Sequence, residues 1–95
     1  MSVLVFAENN GGQFKKAAFE AVSYAAAIAS AMQTGTTALV LGSMSDEVAS
    51  QLGKYGAQKV IKINEASLDV VEGHAYAKAI AAVAVAEGSK VVVLA

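Results

Sequence analysis

The chain has 95 residues, of which 56% are hydrophobic, and its seven basic and eight acidic residues leave a net charge of −1. This length supports at most one small domain with a modest core, and no apolar stretch approaches the ~20 residues needed to cross a bilayer. The lack of cysteine excludes disulfides, thiolate nucleophiles and sulfur-ligated metals, and the lack of arginine, with lysines scattered along the chain, argues against nucleic-acid binding.

Four apolar runs punctuate the chain. Residues 3–7 carry no polar alternation, so the strand that they predict must be covered on both faces, which is typical of parallel sheets flanked by helices. Similar runs follow at 38–41, 59–63 and 90–94, separated by stretches with helical patterns. Alternating strands and helices predict an α/β fold with one parallel sheet, and we expect the first strand to be central.

The first long helix is predicted by apolar residues that recur with a period of 3.6 from Phe14 to Met32. Gly35 is expected to end it. At a rotation of about 100° per residue, Phe19 points away from this apolar stripe. We therefore expect an isolated exposed aromatic, with contact to a partner as the alternative.

A short helix and an edge strand are predicted next. Ser45 is a candidate N-cap, and Asp46 with Glu47 would lie in the first turn, where carboxylates complement free backbone N–H groups. Lys59 and Lys62 bound the third strand in the manner of an edge strand.

The last predicted helix, residues 73–87, is apolar almost all round. Tyr76 lies on its expected inner face and Val85 on the opposite side, a pattern that favours a helix covered by something further. Between the third strand and this helix we expect a connection at 64–67 and an irregular segment at 68–71.

We expect a sheet of about four strands in the order 3-2-1-4. With this order, right-handed crossovers place the first two helices on one face and the last helix on the other. The final strand, 90–94, would then have an unpaired outer edge. We therefore expect an incomplete domain that belongs to a longer protein, and we expect this piece to associate with itself through that edge.

Candidate sites are few. Glu8, Asn9 and Asn10 follow the first strand, where open α/β sheets place ligands, but residues 8–12 also read as a plain turn, and neither GxGxxG nor GxxxxGK[ST] occurs. Gly42 and Ser43, at the end of the second strand, are a weaker signal of the same kind.

The remaining polar and aromatic residues are expected to have structural rather than catalytic or binding roles. His74 is the sole histidine and is expected at a helix start or on the surface, and Asp69 with Glu72 suits a helix dipole. The tyrosines are expected to be packing residues: Tyr24, Tyr55 and Tyr76. We therefore assign no catalytic, cofactor-binding or metal-binding residue.

In their order along the chain, several segments resemble the electron transfer flavoprotein alpha subunit. They are Val-Leu-Val-Phe-Ala-Glu at 3–8, Phe-Lys-Lys-Ala-Ala at 14–18, Ala-Leu-Val-Leu-Gly-Ser at 38–43, Leu-Gly-Lys-Tyr-Gly-Ala-Gln-Lys-Val at 52–60, His-Ala-Tyr-Ala at 74–77 and the strand at 91–95. The resemblance covers the whole chain and identifies residues 1–95 as the first part of that subunit's N-terminal domain.

The resemblance implies an adenine-nucleotide hydrolase or universal stress protein type of fold. It implies that FAD is bound by the alpha subunit's C-terminal domain, which is absent here, that the beta subunit carries AMP, and that no cofactor residue lies on this chain. The N-terminal domain would be a scaffold that contacts the beta subunit. The whole complex would take electrons from dehydrogenases, such as acyl-CoA dehydrogenase, and pass them to a respiratory acceptor.

Two other functions stay open. A universal-stress-type module would bind an adenine nucleotide with the loops after its first and fourth strands, and an independent small enzyme would need an acid, base or nucleophile set that the chain does not offer. Because the N-terminus lacks a signal peptide, we expect a bacterial cytoplasmic protein without a membrane partner.

Overall fold

The structure is a computed structural model that describes residues 2–63 and 73–94. Its elements are β1 (Ser2–Phe6), β2 (Asn9–Asn10), β3 (Gln13–Phe14), α1 (Lys16–Ala31), β4 (Gly35–Leu41), α2 (Asp46–Ser50), a 3₁₀ helix (Gln51–Tyr55), β5 (Lys59–Ile63), α3 (Gly73–Glu87) and β6 (Val91–Leu94). The predictions for the connection at 64–67, the segment at 68–71 and the acidic residues Asp69 and Glu72 fall outside the described residues.

The main sheet confirms the predicted topology. Its four strands lie in the order β5-β4-β1-β6 and all pair in parallel. In terms of the predicted strands this is the order 3-2-1-4. Because β1 lies between two neighbours and bears helices on both sides, its four residues 3–6 are all buried.

One face of the sheet packs against α1 and the 3₁₀ helix. The helix contributes mostly small side chains, which let its axis lie close to the strands. The buried residues of this core are Val3, Val5, Ala7, Ala18, Val22, Ala25, Ala29, Ala38, Val40, Met44, Ala49 and Leu52.

The other face packs against α3. Its buried residues are Leu4, Phe6, Leu39, Leu41 and Tyr76, with Ile80 and Val83 packed beside them. The rings of Phe6 and Tyr76 meet edge to face, with centroids 5.5 Å apart. The split of the core into two layers confirms that the last helix lies on the face opposite the first two, and Tyr76 is a packing residue as predicted.

Both ends of the first helix differ from the prediction. Phe14 belongs to β3, and α1 begins only at Lys16. At the other end Gln33 has a φ of 57°, Gln33 N–H donates to Ser30 O, and Thr34 N–H donates to Ala29 O. These two bonds form a Schellman motif that satisfies the last carbonyls of the helix. Gly35 therefore does not end the helix; it is the first residue of β4.

The predicted cap of the second helix is confirmed. Ser45 Oγ accepts a hydrogen bond of 3.2 Å from Val48 N–H, and both Asp46 and Glu47 lie in the first turn of α2. The 3₁₀ helix that follows ends at Gly56, which has a φ of 117°. A side chain at Gly56 would place its Cβ 2.6 Å from the Cβ of Ala26 on α1.

The aromatic residues on the α1 side correct two predictions. Phe19 is not an isolated exposed aromatic, because its ring stacks on Tyr55 with centroids 4.4 Å apart and meets Phe14 edge to face at 5.7 Å. Tyr24 is not a packing residue, since it is 64% exposed. Tyr55 remains partly exposed on the far side of the stack.

The predicted third helix has the observed bounds of α3, with His74 in its first turn, and Val85 on its outer side is 82% exposed. Lys59 on the edge strand β5 pairs with Glu87 at the end of α3 at 2.9 Å. Within residues 2–63 and 73–94, no helix is both long and apolar enough to span a bilayer.

Candidate functional site

The segment after β1 forms a small hairpin, and the turn predicted within residues 8–12 lies at its tip. Asn9 pairs with Phe14 and Asn10 with Gln13 in antiparallel register. Gly11 and Gly12 form the two-residue loop with φ values of 64° and 83°. Positive φ at both central positions is the conformation of a type I′ turn, which glycine adopts at little cost. The hairpin projects from the carboxyl end of the sheet.

Asn9 joins this hairpin to the neighbouring strand. Its Nδ2 donates a 2.8 Å hydrogen bond to the carbonyl of Leu41 at the end of β4, and its Oδ1 accepts a 3.1 Å bond from Gly12 N–H. The two loops also lie close together, because a Cβ at Gly12 would be 3.5 Å from the carbonyl oxygen of Ser43. The predicted residues Asn9, Gly42 and Ser43 are therefore brought to one edge of the sheet.

The loop after β4 is held from the other side by β5. Gly42, with a φ of 101°, donates its N–H to Ile63 O at 3.0 Å. Lys62 Nζ donates to Met44 O at 2.8 Å and pairs with the Asp46 carboxylate. The hydrogen bond and the charge of Lys62 lower the pKa of Asp46, against a small opposing effect of desolvation.

These contacts use the polar groups of the loops to fix the backbone. The Asn9 amide and the Gly12 N–H are engaged with each other and with β4, while Glu8 and Asn10 are exposed. Among the described residues, no group of three or more acidic or histidine side chains is placed to hold a metal ion.

A second concave feature lies on the outer side of α1. A groove of about 510 Å³ is lined by Lys16, Phe19, Glu20, Ser23 and Tyr55. Ser23 Oγ donates to Tyr55 O at 3.3 Å, and Lys16 faces Glu20 one turn on at 3.7 Å. The helical pattern of α1 alone did not reveal this groove, because Tyr55 comes from a different segment. An aromatic residue off the apolar stripe was the one signal in the sequence.

Residues 3–95 match the electron transfer flavoprotein domain family. The chain belongs to this family. Electron transfer flavoprotein domains have a fold of the adenine-nucleotide hydrolase and universal stress protein type, which agrees with a four-stranded parallel sheet flanked by helices. The predicted fold class is confirmed, and of the predicted family the broader part, an electron transfer flavoprotein, is confirmed.

One curated relative bears on the role of the chain and on the type of subunit. The chain is 30% identical over 92 residues to the acryloyl-CoA reductase electron transfer subunit beta of Anaerotignum propionicum. The matched region is 97% of this chain and 25% of the relative, so the chain spans about a quarter of that protein's length. The relative is an electron transfer subunit, in agreement with the predicted role. Because it is named a beta subunit, it does not support the prediction of an alpha subunit.

Proposed function

We propose that this chain is part of an electron transfer flavoprotein subunit, in which it acts as a scaffold and as a contact surface for the companion subunit. The observation that carries the proposal is the family match over residues 3–95. The relative named as an electron transfer subunit supports the same role. In this proposal the chain is a carrier component without catalytic residues of its own, and it works in the bacterial cytoplasm.

The proposal places FAD elsewhere in the assembled flavoprotein. The hydrogen bonding of the hairpin formed by β2 and β3 supports a scaffold role for this chain and a FAD site in another part of the flavoprotein. A loop that cradles phosphate presents free backbone N–H groups, but Gly12 N–H donates to Asn9 Oδ1, and Gly42 N–H donates to Ile63 O. The loops at the end of the sheet therefore hold one another, and the sheet offers a rigid platform for other parts of the complex.

Reconstitution tests the scaffold role. The chain would be produced together with the remaining polypeptides of an electron transfer flavoprotein and purified through a tag on the chain. We expect copurification of bound FAD and reduction of that FAD by a dehydrogenase, such as acyl-CoA dehydrogenase, followed by transfer to an artificial acceptor. Failure of the flavin-bearing polypeptides to copurify would contradict the proposal.

The type of subunit needs its own experiment. The ordered segments at 3–8, 38–43 and 52–60 resemble the alpha subunit, whereas the name of the relative favours a beta type. Paired production with an alpha or a beta companion separates the two types, because a complementary pair assembles and two subunits of one type do not. Retention of a beta companion assigns the chain to the alpha type, and retention of an alpha companion assigns it to the beta type.

One observation favours a second candidate function, that of an adenine-nucleotide-binding module. The loops after β1 and β4 meet at the carboxyl end of adjacent parallel strands, with Gly12 close to Ser43. Open α/β sheets bind ligands at this end. Saturable heat of ATP binding in calorimetry, lost in Gly12→Val, would favour this module over the scaffold role.

A further inference from the structure

The tip of the hairpin formed by β2 and β3 carries a chemically reactive pair of residues. Asn10 and Gly11 are the only Asn-Gly dipeptide in the sequence. The amide group of an asparagine can be attacked by the backbone nitrogen of the next residue, which makes asparagine one of the thermolabile residues of proteins. Glycine in the next position hinders this attack least, because it has no Cβ. The sequence therefore makes Asn10 the asparagine most exposed to this reaction.

The structure leaves Asn10 and Gly11 free to react. Asn10 is exposed, and Gly11 is the first residue of the hairpin loop. Within the described residues, neither the Asn10 side chain nor the Gly11 N–H makes a hydrogen bond. Asn10 pairs with Gln13 at the end of a ladder of only two residue pairs. A ladder this short opens locally with little loss of free energy, and opening permits the backbone rotation that brings the Gly11 nitrogen to the Asn10 amide carbon.

The neighbouring asparagine is protected. Asn9 Nδ2 donates to Leu41 O, and Asn9 Oδ1 accepts from Gly12 N–H. Attack on the Asn9 amide would have to break both bonds. The attacking nitrogen would belong to Asn10, whose own side chain obstructs the approach. Two adjacent residues of the same type therefore differ in reactivity because only one of them is tied to β4.

We propose that Asn10 is a site of self-modification, at which the chain converts asparagine to aspartate and isoaspartate. The Gly11 nitrogen forms a bond to Cγ of Asn10, the bond from Cγ to Nδ2 breaks, and ammonia leaves with the proton that the Gly11 nitrogen gives up. Water then opens the resulting succinimide ring. Opening at Cγ gives aspartate, and opening at the main-chain carbonyl carbon gives isoaspartate. Only water is consumed, and nothing is oxidised or reduced.

The modification alters the hairpin at the carboxyl end of the sheet. Either product replaces a neutral amide by a carboxylate close to Glu8, which adds one negative charge to a chain of net charge −1. Isoaspartate also lengthens the main chain by one carbon between positions 10 and 11. This changes the spacing over which Asn9 accepts from Gly12 N–H, so the modified hairpin should be held less firmly on β4. The inference goes beyond the proposed electron-transfer role and does not depend on it.

Mass spectrometry of the aged chain tests the proposal. The 95-residue chain is kept in mildly alkaline buffer at physiological temperature, and samples are digested and fragmented to locate each acid and to separate aspartate from isoaspartate. A capped synthetic peptide of residues 8–14 gives the rate without the fold. We expect Asn10 to convert to both products in the chain, at least about tenfold faster than Asn9, since the two hydrogen bonds of Asn9 raise its barrier.

Three variants test the role of the hairpin. Gly11→Ala should slow conversion of Asn10 at least about tenfold, because a methyl group obstructs the attacking nitrogen. The surroundings leave room for that methyl group, since a Cβ at Gly11 meets nothing within 4 Å. Asn9→Ala should speed the conversion about two- to tenfold, because the bond that holds Gly12 is lost. Gln13→Ala is the control; Gln13 is exposed, and the rate should not change.

Four results would overturn the proposal. The first is a chain that keeps Asn10 intact while the capped peptide converts fully, because the fold would then protect this residue. The second is equal conversion of Asn9 and Asn10. The third is an unchanged rate in Gly11→Ala, which would exclude attack by the nitrogen of residue 11 as the slow step. The fourth is a rate in Asn9→Ala no higher than that in Gln13→Ala, which would show that the Asn9 bonds do not restrain the tip.

Discussion

Single polar residues connect the loops at the carboxyl end of the sheet. The Asn9 side chain acts both as donor, to Leu41 O, and as acceptor, from Gly12 N–H. One amide thus fixes the hairpin turn and ties it to β4. Glycines contribute at the same scale where a Cβ would be too close to a neighbour, as at Gly56 beside Ala26.

Asn9→Ala removes both bonds of this amide and leaves the Leu41 carbonyl and the Gly12 N–H without their partner. At roughly 0.5–1.5 kcal/mol per bond, we expect a loss of about 1–3 kcal/mol in the free energy of unfolding, measured by urea denaturation. Asn10→Ala is the control: Asn10 is exposed and should change stability by less than about 0.5 kcal/mol. Equal effects of the two changes would show that the Asn9 bridge contributes nothing.

Gly56→Ala introduces strain of two kinds, a positive φ for a residue with a Cβ and the short distance to Ala26. We expect a loss of about 1–3 kcal/mol in the free energy of unfolding. Gly53→Ala is the matched control in the same 3₁₀ helix, where a Cβ meets nothing within 4 Å. It should be neutral or stabilise by up to about 1 kcal/mol. The prediction is wrong if both alanines are tolerated equally in thermal and urea unfolding.

At the scale of elements, contacts between segments distant in sequence hold the helices on the sheet. Phe19 of α1 meets Tyr55 of the 3₁₀ helix, and Ser23 donates to the Tyr55 carbonyl one turn further on. On the other side of the 3₁₀ segment, Lys62 of β5 pairs with Asp46 of α2 and donates to the carbonyl of Met44 in the preceding loop. The crossover from β4 to β5 is thus fixed at both ends.

A double-mutant cycle measures the stack of Phe19 on Tyr55. From Phe19→Leu, Tyr55→Leu and the double variant we expect a coupling free energy of about 0.5–1.5 kcal/mol, the usual value for a stacked aromatic pair. A second cycle with Tyr24→Leu in place of Tyr55→Leu serves as the control, because Tyr24 is exposed. That cycle should be additive within about 0.5 kcal/mol. Similar coupling in both cycles would disprove a specific stack.

The pair of Asp46 and Lys62 predicts a pH dependence. Lys62 lowers the pKa of Asp46 in the folded chain, so the folded state binds this proton less readily than the unfolded state. The contribution to stability is therefore present above the ordinary pKa of about 4 and is lost as the pH falls through the lowered value. The difference in unfolding free energy between the unmodified chain and Asp46→Asn should shrink as the pH falls from 7 to about 2.

Lys62→Met provides the control for that pH profile. Without the ammonium group, the additional change Asp46→Asn should make no pH-dependent difference. A profile of the unmodified chain that parallels the profile of Asp46→Asn over the acid range would contradict the assigned cause. Chemical denaturation followed by circular dichroism at several pH values supplies the measurement.

At the scale of the whole molecule, the sheet is covered unevenly. Both faces of β1 and β4 are buried in two apolar cores. The outer side of α3 and the α3 side of β6 expose Val85, Val92 and Leu94. This distribution favours a chain that carries a stable centre and offers its periphery to other polypeptides, in keeping with the proposed scaffold role.

The chain alone is predicted to bind neither FAD nor AMP with useful affinity. In the proposed assembly the flavin lies elsewhere, and the Gly12 and Gly42 amides at the end of the sheet are already bonded within the protein. We expect calorimetry and flavin fluorescence quenching to give dissociation constants above about 10 µM, or binding weaker than about −7 kcal/mol. Tighter, saturable binding of either ligand would contradict the prediction and would direct attention to the loops after β1 and β4.

Much of the fold follows from the order of residue types. The unbroken apolar run at 3–7 requires cover on both faces, and the observed β1 is the central strand with helices on both sides. For the predicted strand order, the right-handedness of crossovers determined which face each helix covers, and this handedness is a property of L-amino acids rather than of any one residue. Helix α3 and the Ser45 cap were predictable because their signals are local.

The tertiary structure decided the contacts between segments. Helical periodicity places Phe19 off the apolar stripe of α1, and only the path of the chain through the 3₁₀ helix brings Tyr55 against it. The same holds for Asn9, whose neighbour Leu41 lies 32 positions away and adjoins it because β1 and β4 pair. Hydrophobic periodicity indicates which face of a segment is buried. It does not identify the residue that contacts a given side chain, because that residue belongs to another segment whose position depends on the tertiary fold.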